Sequence, residues 1–428
     1  MSESPLQRRS FLHLGALACG LPYLRPRSGR AAVLPANERI RVGLIGTGAR
    51  GQVNLRALIK RPEIQLTAVC DVDATHRNNS LEIVHQAYGS TDAKSFEDFR
   101  DLISADLVDA VVLAVPTHWQ AAIAIACAQT HIDIYAEPPL AGSVVEGRAI
   151  CRAVQRYGCV WQTGSWQRSD PFFQSACQLV ATGRLGVVRS LEVGTLGGFR
   201  DYTGATGSSF YEDAGGLNYD LWLGPAPWLP YHPGRVHQNW RWHSFFGGGQ
   251  LMDMIGHHVD IALWAQGLDR SGPLKVEGKG EFMNNAIFDA LVKYDISGYF
   301  RNDLKIRISS SLAPGVRWLG DEGWIYATRK QLLASKDSLL APGEFASRFI
   351  RFGQDHWGDF FDAMRTRRPT IAPCESAQRA ATIGHLSMIS LLAGRTITWR
   401  DETEMVFEDP NAAEMLEKPY REPWLLVD

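Results

Sequence analysis

Short apolar runs alternate with stretches of helical spacing from residue 38 to about residue 137. IRVGLI (40–45) has the length and branched character of a buried strand, and QVNLRALIK (52–60) repeats its apolar residues at Val53, Leu55, Leu58 and Ile59, as a helix does. IQLTAVCDVD (64–73) predicts the next strand. SFEDFRDLI (95–103) predicts a helix, VDAVVLAVP (108–116) a buried strand, AAIAIACAQT (121–130) a helix and IDIYAE (132–137) a strand. Repeated βα units predict a doubly wound parallel sheet with ligands at the carboxyl ends of its strands. From Trp161 the pattern changes to period two. VRSLEVGTLGG (188–198), LVKYDISGYF (291–300), NDLKIRISSSL (302–312) and GWIYATRKQLLAS (323–335) read as strands separated by glycine and polar turns. Helical patterns interrupt them at 170–186 and at Gly249–Gly267, and two more, at 355–367 and 375–394, close the chain before a proline-punctuated arm, KPYREPWLLVD.

The predicted organisation is therefore residues 1–36 outside the fold, a nucleotide-binding domain over 37–160 and a second α/β domain over 161–428. The first 36 residues carry Arg8–Arg9 before Ser10, Phe11 and Leu12, then a short, weakly apolar stretch; this pattern predicts a twin-arginine export signal, and with it a periplasmic or cell-envelope location. With 45% hydrophobic residues in 428, there is material for two cores. A net charge of −2 with no basic tract beyond the N-terminus gives no footprint for nucleic acid, and no run of about 18 apolar residues predicts a membrane span. The seven cysteines include no C-x-x-C pair, so neither a structural zinc site nor a disulfide framework is expected, and most read as small buried hydrophobes. More than half of the thirteen tryptophans fall between Trp161 and Trp264, which suits either core packing or sugar stacking.

Chemistry enters at GTGARG. Gly46, Gly48 and Gly51 form G-x-G-x-x-G between a strand and a helix, with Thr47 and Arg50 in the same turn. Asp71 ends the second strand, 25 residues after Gly46, where a carboxylate accepts from ribose hydroxyls and repels a 2′-phosphate; this favours NAD over NADP, with His76 and Arg77 as the nearby cations that keep NADP open. The next strand ends bring Pro116, Thr117, His118 and Trp119, then Glu137, Pro138 and Pro139, to the same crevice. On the 249–267 helix Asp253 and His257 are four apart and share a face. Removing a proton from an alcohol wants a base that works near pH 7, which suits His257, with Asp253 to orient it. His258 points elsewhere, so the adjacent pair is not read as a metal site. Trp166, Gln167 and Arg168 in GSWQRS are candidates for the substrate wall, as are, more weakly, Trp242, Tyr202, Tyr211, Tyr219, Trp240, His243 and His258.

GTGARG, VPTHWQ, AEPPL, WQTGSWQRS, YDLWLGPAP, GGGQLMDMIGHHVDIALW and KPYREPW together resemble the glucose–fructose oxidoreductase/inositol dehydrogenase/MocA family, and its exported subgroup in particular. The resemblance implies a Rossmann domain followed by an α/β domain with a large open, mostly antiparallel sheet that packs against another subunit as a dimer or tetramer. It implies a sugar or polyol substrate and an NAD(P) cofactor. Cofactor residues would be Gly46, Thr47, Gly48, Arg50, Gly51, Asp71, Pro116, Thr117, His118, Glu137 and Pro138. The catalytic pair would be His257 with Asp253. The sequence departs from the family at one position: the lysine of its E-K-P motif is Pro138. That lysine serves the substrate hydroxyl and the general acid/base, and His118 is the substitute donor the sequence offers. Three readings stay open: a sugar or polyol dehydrogenase; a redox-neutral glycosidase or lyase with tightly held NAD, as in relatives that also lack the lysine; and a sugar-binding protein without chemistry.

Overall fold

The computed structural model describes residues 38–202, 204, 214–285, 287–341 and 355–424. The expected export signal and Tyr211 lie outside the described residues. The first unit runs β1 (Ile40–Ile45), α1 (Ala49–Leu58), β2 (Ile64–Cys70), α2 (Ala74–Tyr88), β3 (Lys94–Phe96) and α3 (Phe99–Ser104). It continues with β4 (Ala110–Leu113), α4 (Thr117–Gln129), β5 (Asp133–Ala136), α5 (Val144–Tyr157) and β6 (Trp161–Thr163). All six strands are parallel, in the order β3-β2-β1-β4-β5-β6, so the order reverses between β1 and β4 and opens a crevice there. β4 and β5 are buried at every position because helices cover both faces, which is why they read as unbroken apolar runs. SFEDFRDLI, expected as one helix, divides: its first residues complete β3, and Asp98 caps α3 by accepting from the Arg100 N–H.

The second unit holds α6 (Pro171–Ala181), β7 (Val188–Gly194), α7 (Tyr219–Leu223), α8 (Gly249–Met254), a π-helical turn (Ile255–Val259) and α9 (Asp260–Ala265). Then come β8 (Lys275–Phe282), β9 (Leu291–Tyr299), β10 (Lys305–Ser309), β11 (Gly315–Gly320), β12 (Gly323–Ala327) and β13 (Leu332–Ala334). The closing elements are α10 (His356–Thr366), α11 (Cys374–Ala393), β14 (Ile397–Arg400), β15 (Met405–Val406) and α12 (Pro410–Glu414). Nine strands form one sheet, β13-β12-β11-β7-β10-β9-β8-β14-β15, antiparallel except where β10 runs parallel to β7. β9 alternates: Leu291, Tyr294 and Ile296 face the core, while Lys293 and Asp295 face out and pair with Glu281 and Arg307.

The boundary expected at residue 160 moves. β6 adds the sixth parallel strand, and two distant helices complete the first unit. Phe360, Phe361 and Ala363 of α10 share a core with Val42, Leu44 and Tyr135, and Cys374, Ala377 and Ala381 of α11 pack with Val111, Ile134 and Ile150. Farther along α11, Ile383, Leu386 and Ile389 enter the core under the large sheet. The C-terminal arm docks as expected: Arg421 donates to the Gly224 and Asp220 carbonyls, and Trp424 meets Trp119 edge-on at 4.8 Å.

Candidate functional site

After β1 the chain turns through Gly46 at φ 86°, where a Cβ would lie 2.5 Å from the Ala114 carbonyl oxygen. A Cβ at Gly51 would lie 2.1 Å from the Gly46 carbonyl oxygen, so only glycine lets α1 start this close to β1. At Gly48 the nearest neighbour of an added Cβ is the His76 ring at 3.9 Å, which leaves the backbone open to a ligand. Gly48 caps α1 with no side-chain acceptor, so the first-turn N–H groups remain for an anion. The residues present therefore fit a dinucleotide pyrophosphate.

Asp71 is held by this same turn. Its Oδ2 accepts from Thr47 N (2.6 Å) and Thr47 Oγ1 (3.0 Å), and its Oδ1 accepts from Asp73 N (2.9 Å). Arg77, one of the two cations that kept NADP open, donates to the Asp71 carbonyl (2.6 Å) and lies 3.7 Å from Glu97. At this end Asp73, His76 and His237 bring possible ligand atoms within 4.8 Å of one another, a cluster that the sequence spacing did not announce; Asp73 also caps α2. The groove encloses about 730 Å³ and is lined by Gly46–Arg50, Asp71, Val115 and Pro116 on the Rossmann side.

Its far wall is a roof from the second unit, with Leu217, Trp222, His237, Trp240 and Arg241 facing the groove. The roof is fastened along its length. Ala74 N donates to Gly216 O and Asn218 N to Val72 O, both at 2.9 Å. Trp119 Nε1 donates to Leu221 O and Trp222 O, and His118 Nε2 donates to Trp222 O at 2.9 Å. Arg241 ties the roof to α8 through Asp253 (3.1 Å) and stacks on Trp240.

Behind the groove wall, Glu137 accepts from Arg50 Nε and Asn54 Nδ2, both at 2.8 Å. Burial raises its carboxyl pKa, with Arg50 and Asn54 pulling the other way. Gln120 of VPTHWQ fixes the turn by donating to the Glu137 and Pro139 carbonyls. Pro138 presses on the π-turn, where a Cβ at Gly256 would lie 2.5 Å from Pro138 Cβ; Ser165 Oγ holds that turn by donating to Gly256 O (2.7 Å). His257 follows. Its Nδ1 is buried with no hydrogen-bond partner among the described residues, and the ring pKa is pushed down to about 3, by burial first and then by Arg329, His258 and Arg50. A π-turn within an α-helix is rare and often marks a functional site.

Arg329, in the turn between β12 and β13, escaped the sequence reading. Its guanidinium stacks on Trp166 at 4.7 Å, and its Nε donates to the Gln167 amide oxygen (3.0 Å), while the Gln167 amide nitrogen donates to His257 O (2.9 Å). Arg241 was also missed. Neither sits in a motif, and their convergence depends on hairpin and roof geometry.

Several expected roles change. Asp253 pairs with Arg241 and makes no hydrogen bond to His257, because the backbone changes helical register between them. Gln167 is fully buried and positions His257 and Arg329 rather than facing a ligand. Arg168 is buried in a bidentate pair with Asp260 (2.7 Å), with Asp269 and the Ile371 carbonyl as further partners; it joins the two units and is not part of the groove lining. His258 donates through Nδ1 to Gly194 O (2.9 Å) against Phe173, and Trp242 packs among Phe199, Tyr202 and Phe288. His118 sits among Trp119, Trp222 and Phe246 with its pKa pushed down to about 3 by burial, so it is no substitute donor for the missing lysine. Thr117 lines a second cavity beside Lys418 and His385, away from the groove.

Comparison with known proteins agrees with this geometry. Residues 40–165 match the model of an oxidoreductase family's NAD-binding Rossmann fold, and residues 173–306 match that family's C-terminal α/β domain. The inositol 2-dehydrogenase of Rubrobacter xylanophilus is 34% identical over 152 residues, which is 35% of this chain and 42% of that protein. A glycosyl hydrolase family 109 protein of Saccharopolyspora erythraea is 31% identical over 163 residues, 34% of this chain and 35% of that one. The chain thus spans less than half the length of these curated relatives. Among solved structures, the WlbA dehydrogenase from Bordetella pertussis, in complex with NADH and UDP-GlcNAcA, superposes with a TM-score of 0.64 at 17% identity, covering 85% of this chain and 99% of that one.

Proposed function

Because the chain belongs to the Gfo/Idh/MocA oxidoreductase family, we propose that it is an NAD-dependent oxidoreductase acting on a secondary hydroxyl of a sugar, glycoside or polyol, with His257 as general acid/base. The observation that carries this reading is His257 itself: a neutral imidazole with an unpaired ring nitrogen, on a π-turn pressed against the strand-end turn whose Glu137 holds Arg50 of the groove wall. A bound nicotinamide dinucleotide supplies the hydride acceptor. His257 takes the hydroxyl proton. A ring with so low a pKa is a weak base, so the positive potential of Arg50 and Arg329 must favour the departing proton by stabilising the developing alkoxide. These two arginines take over the electrostatic part of the missing lysine's work. NAD is favoured over NADP because Asp71 occupies the ribose end and Arg77 is engaged by the protein. His257→Ala should abolish turnover while nucleotide binding persists; retained turnover would refute the assignment.

A redox-neutral glycosidase or lyase is the second reading. Pro138 in place of lysine, the fastened roof over the groove and the similarity to glycosyl hydrolase family 109 proteins favour it. The roof favours a cofactor that stays through turnover in either reading. Denaturing purified protein and identifying the released nucleotide tests residence. Pro138→Lys separates the chemistries: a gain of NADH-producing activity supports the dehydrogenase, and intact glycoside cleavage with no such gain supports the neutral cycle. We also read residues 1–36 as a twin-arginine signal, a route that carries folded, cofactor-loaded proteins across the membrane and so to the periplasm or cell envelope. Self-association through the large sheet would be polar, since Lys293–Glu281 and Arg307–Asp295 pairs pave its outer face.

A further inference from the structure

Cys151 of α5 and Cys374, the first residue of α11, lie 223 residues apart in sequence, and their Sγ atoms are 3.0 Å apart in the fold. Both thiols are buried in the core between the two helices. The neighbouring contacts hold the helices in this crossing. A Cβ at Gly147 would lie 2.0 Å from Gln378 Oε1, so the glycine admits α11, and Gln378 donates to the Val144 carbonyl at 3.1 Å. One turn before Cys151, Arg148 grips Glu375 and Glu404 with four short hydrogen bonds. The sulfurs are thus held face to face from both sides. Cys70, Cys159 and Cys177 instead point at backbone carbonyls.

We propose that Cys151 and Cys374 form a disulfide that joins the nucleotide domain to the helix packed against the His257 turn. A bond of about 2.05 Å needs the sulfurs to close by roughly 1 Å from their 3.0 Å separation. The reaction is exchange with a small disulfide of the oxidised-glutathione class. One protein thiolate attacks it and expels a small thiol, and the second protein thiolate then displaces the other. The Cys151–Cys374 bond forms and the oxidant's S–S bond breaks. Two electrons and two protons pass from the protein cysteines to two small thiols. The bond would tie α11, which meets Met252 and Ile255 through Gly384, to α5. Burial raises the Cys374 thiol well above its usual range, so the exchange is slow in the folded protein and resistant to reversal.

The test uses the full chain. Reduced protein is incubated folded with oxidised glutathione, and separately refolded from denaturant in a glutathione redox buffer. Each sample is then denatured in excess N-ethylmaleimide without reductant. The expected result in at least the refolded arm is two fewer labelled thiols than the seven cysteines, with one peptide pair joined through Cys151 and Cys374. The oxidised protein should melt several degrees above the reduced one. Both the link and the shift should vanish in Cys151→Ala and in Cys374→Ala. Seven labelled thiols in both arms would overturn the proposal, as would glutathione adducts at these two positions or a link between other cysteines.

Discussion

Three histidines are buried with one ring nitrogen donating to a backbone carbonyl: His118 to Trp222, His258 to Gly194 and His356 to Thr163, each at 2.9 Å. Burial pushes their pKa values down, to about 3 for His118 and about 4 for His258 and His356. In the unfolded chain each would titrate near 6.5. The folded pKa is lowered, so the unfolded state binds more protons at any pH between the two values. The stabilisation is full above about pH 6.5 and is lost as pH falls toward 4. At pH 5.5 an unfolded histidine is about ten parts protonated to one, which costs the folded state about 1.4 kcal/mol per residue and about 4 kcal/mol for the three. For a chain of this size that is a drop of roughly 5 °C in thermal midpoint. The buried carboxyls of Asp133, Glu137, Glu146 and Asp260 have raised pKa values and act in the opposite sense, so the measurement stays above the carboxylate range. Circular dichroism melts between pH 7.5 and 5.5 give the slope, to which His257 and His385, both also pushed down to about 3 by burial, add in the same sense, and His118→Asn should remove about a fifth of it. A midpoint flat to within about a degree over this window would refute the reasoning.

Gly51→Ala should abolish NAD binding, measured by calorimetry, because its methyl group would meet the Gly46 carbonyl; Gly89→Ala, where nothing lies within 4 Å, should leave binding intact and cost about 1 kcal/mol for its left-handed backbone. Arg168→Met should destabilise the fold by about 3–5 kcal/mol in urea unfolding, since it strands Asp260 in the core. Arg329→Gln removes a cation that holds the His257 pKa down; the acid limb of the kcat/KM profile should move to higher pH, and kcat should fall about tenfold or more. An unmoved limb would separate Arg329 from His257.

The first unit was legible because its signals are local: a glycine turn between strand and helix, and parallel strands buried on both faces. The site was half legible. His257 could be singled out from its four-residue spacing to Asp253 and from the family resemblance of the segment around it. The expected pairing with Asp253 could not survive a shift to π-helical hydrogen bonding, which arises where Gly256 meets Pro138, 118 residues away in sequence. Arg168 read as a cleft residue because a charge in a turn is normally solvated; Asp260 and Asp269, which let it be buried, are 92 and 101 residues away. Arg329 has no motif and reaches the site only once its hairpin is folded.

The placement of α10 and the first half of α11 against the Rossmann sheet has a consequence for the order in which the molecule is made. Phe360 and Phe361 fill the core beneath β1, yet they leave the ribosome more than 300 residues after it. The nascent nucleotide domain can assemble its parallel strands early, with α1 and α2 on the same face as α10, but the part of that face filled by Phe360 and Phe361 stays uncovered until α10 has been made. The core of the Rossmann sheet is therefore complete only when α10 and α11 have been added. The two units mature together, and a chain truncated before residue 355 would present apolar gaps in both faces of the sheet, where α10 and α11 belong, to whatever chaperone meets it first.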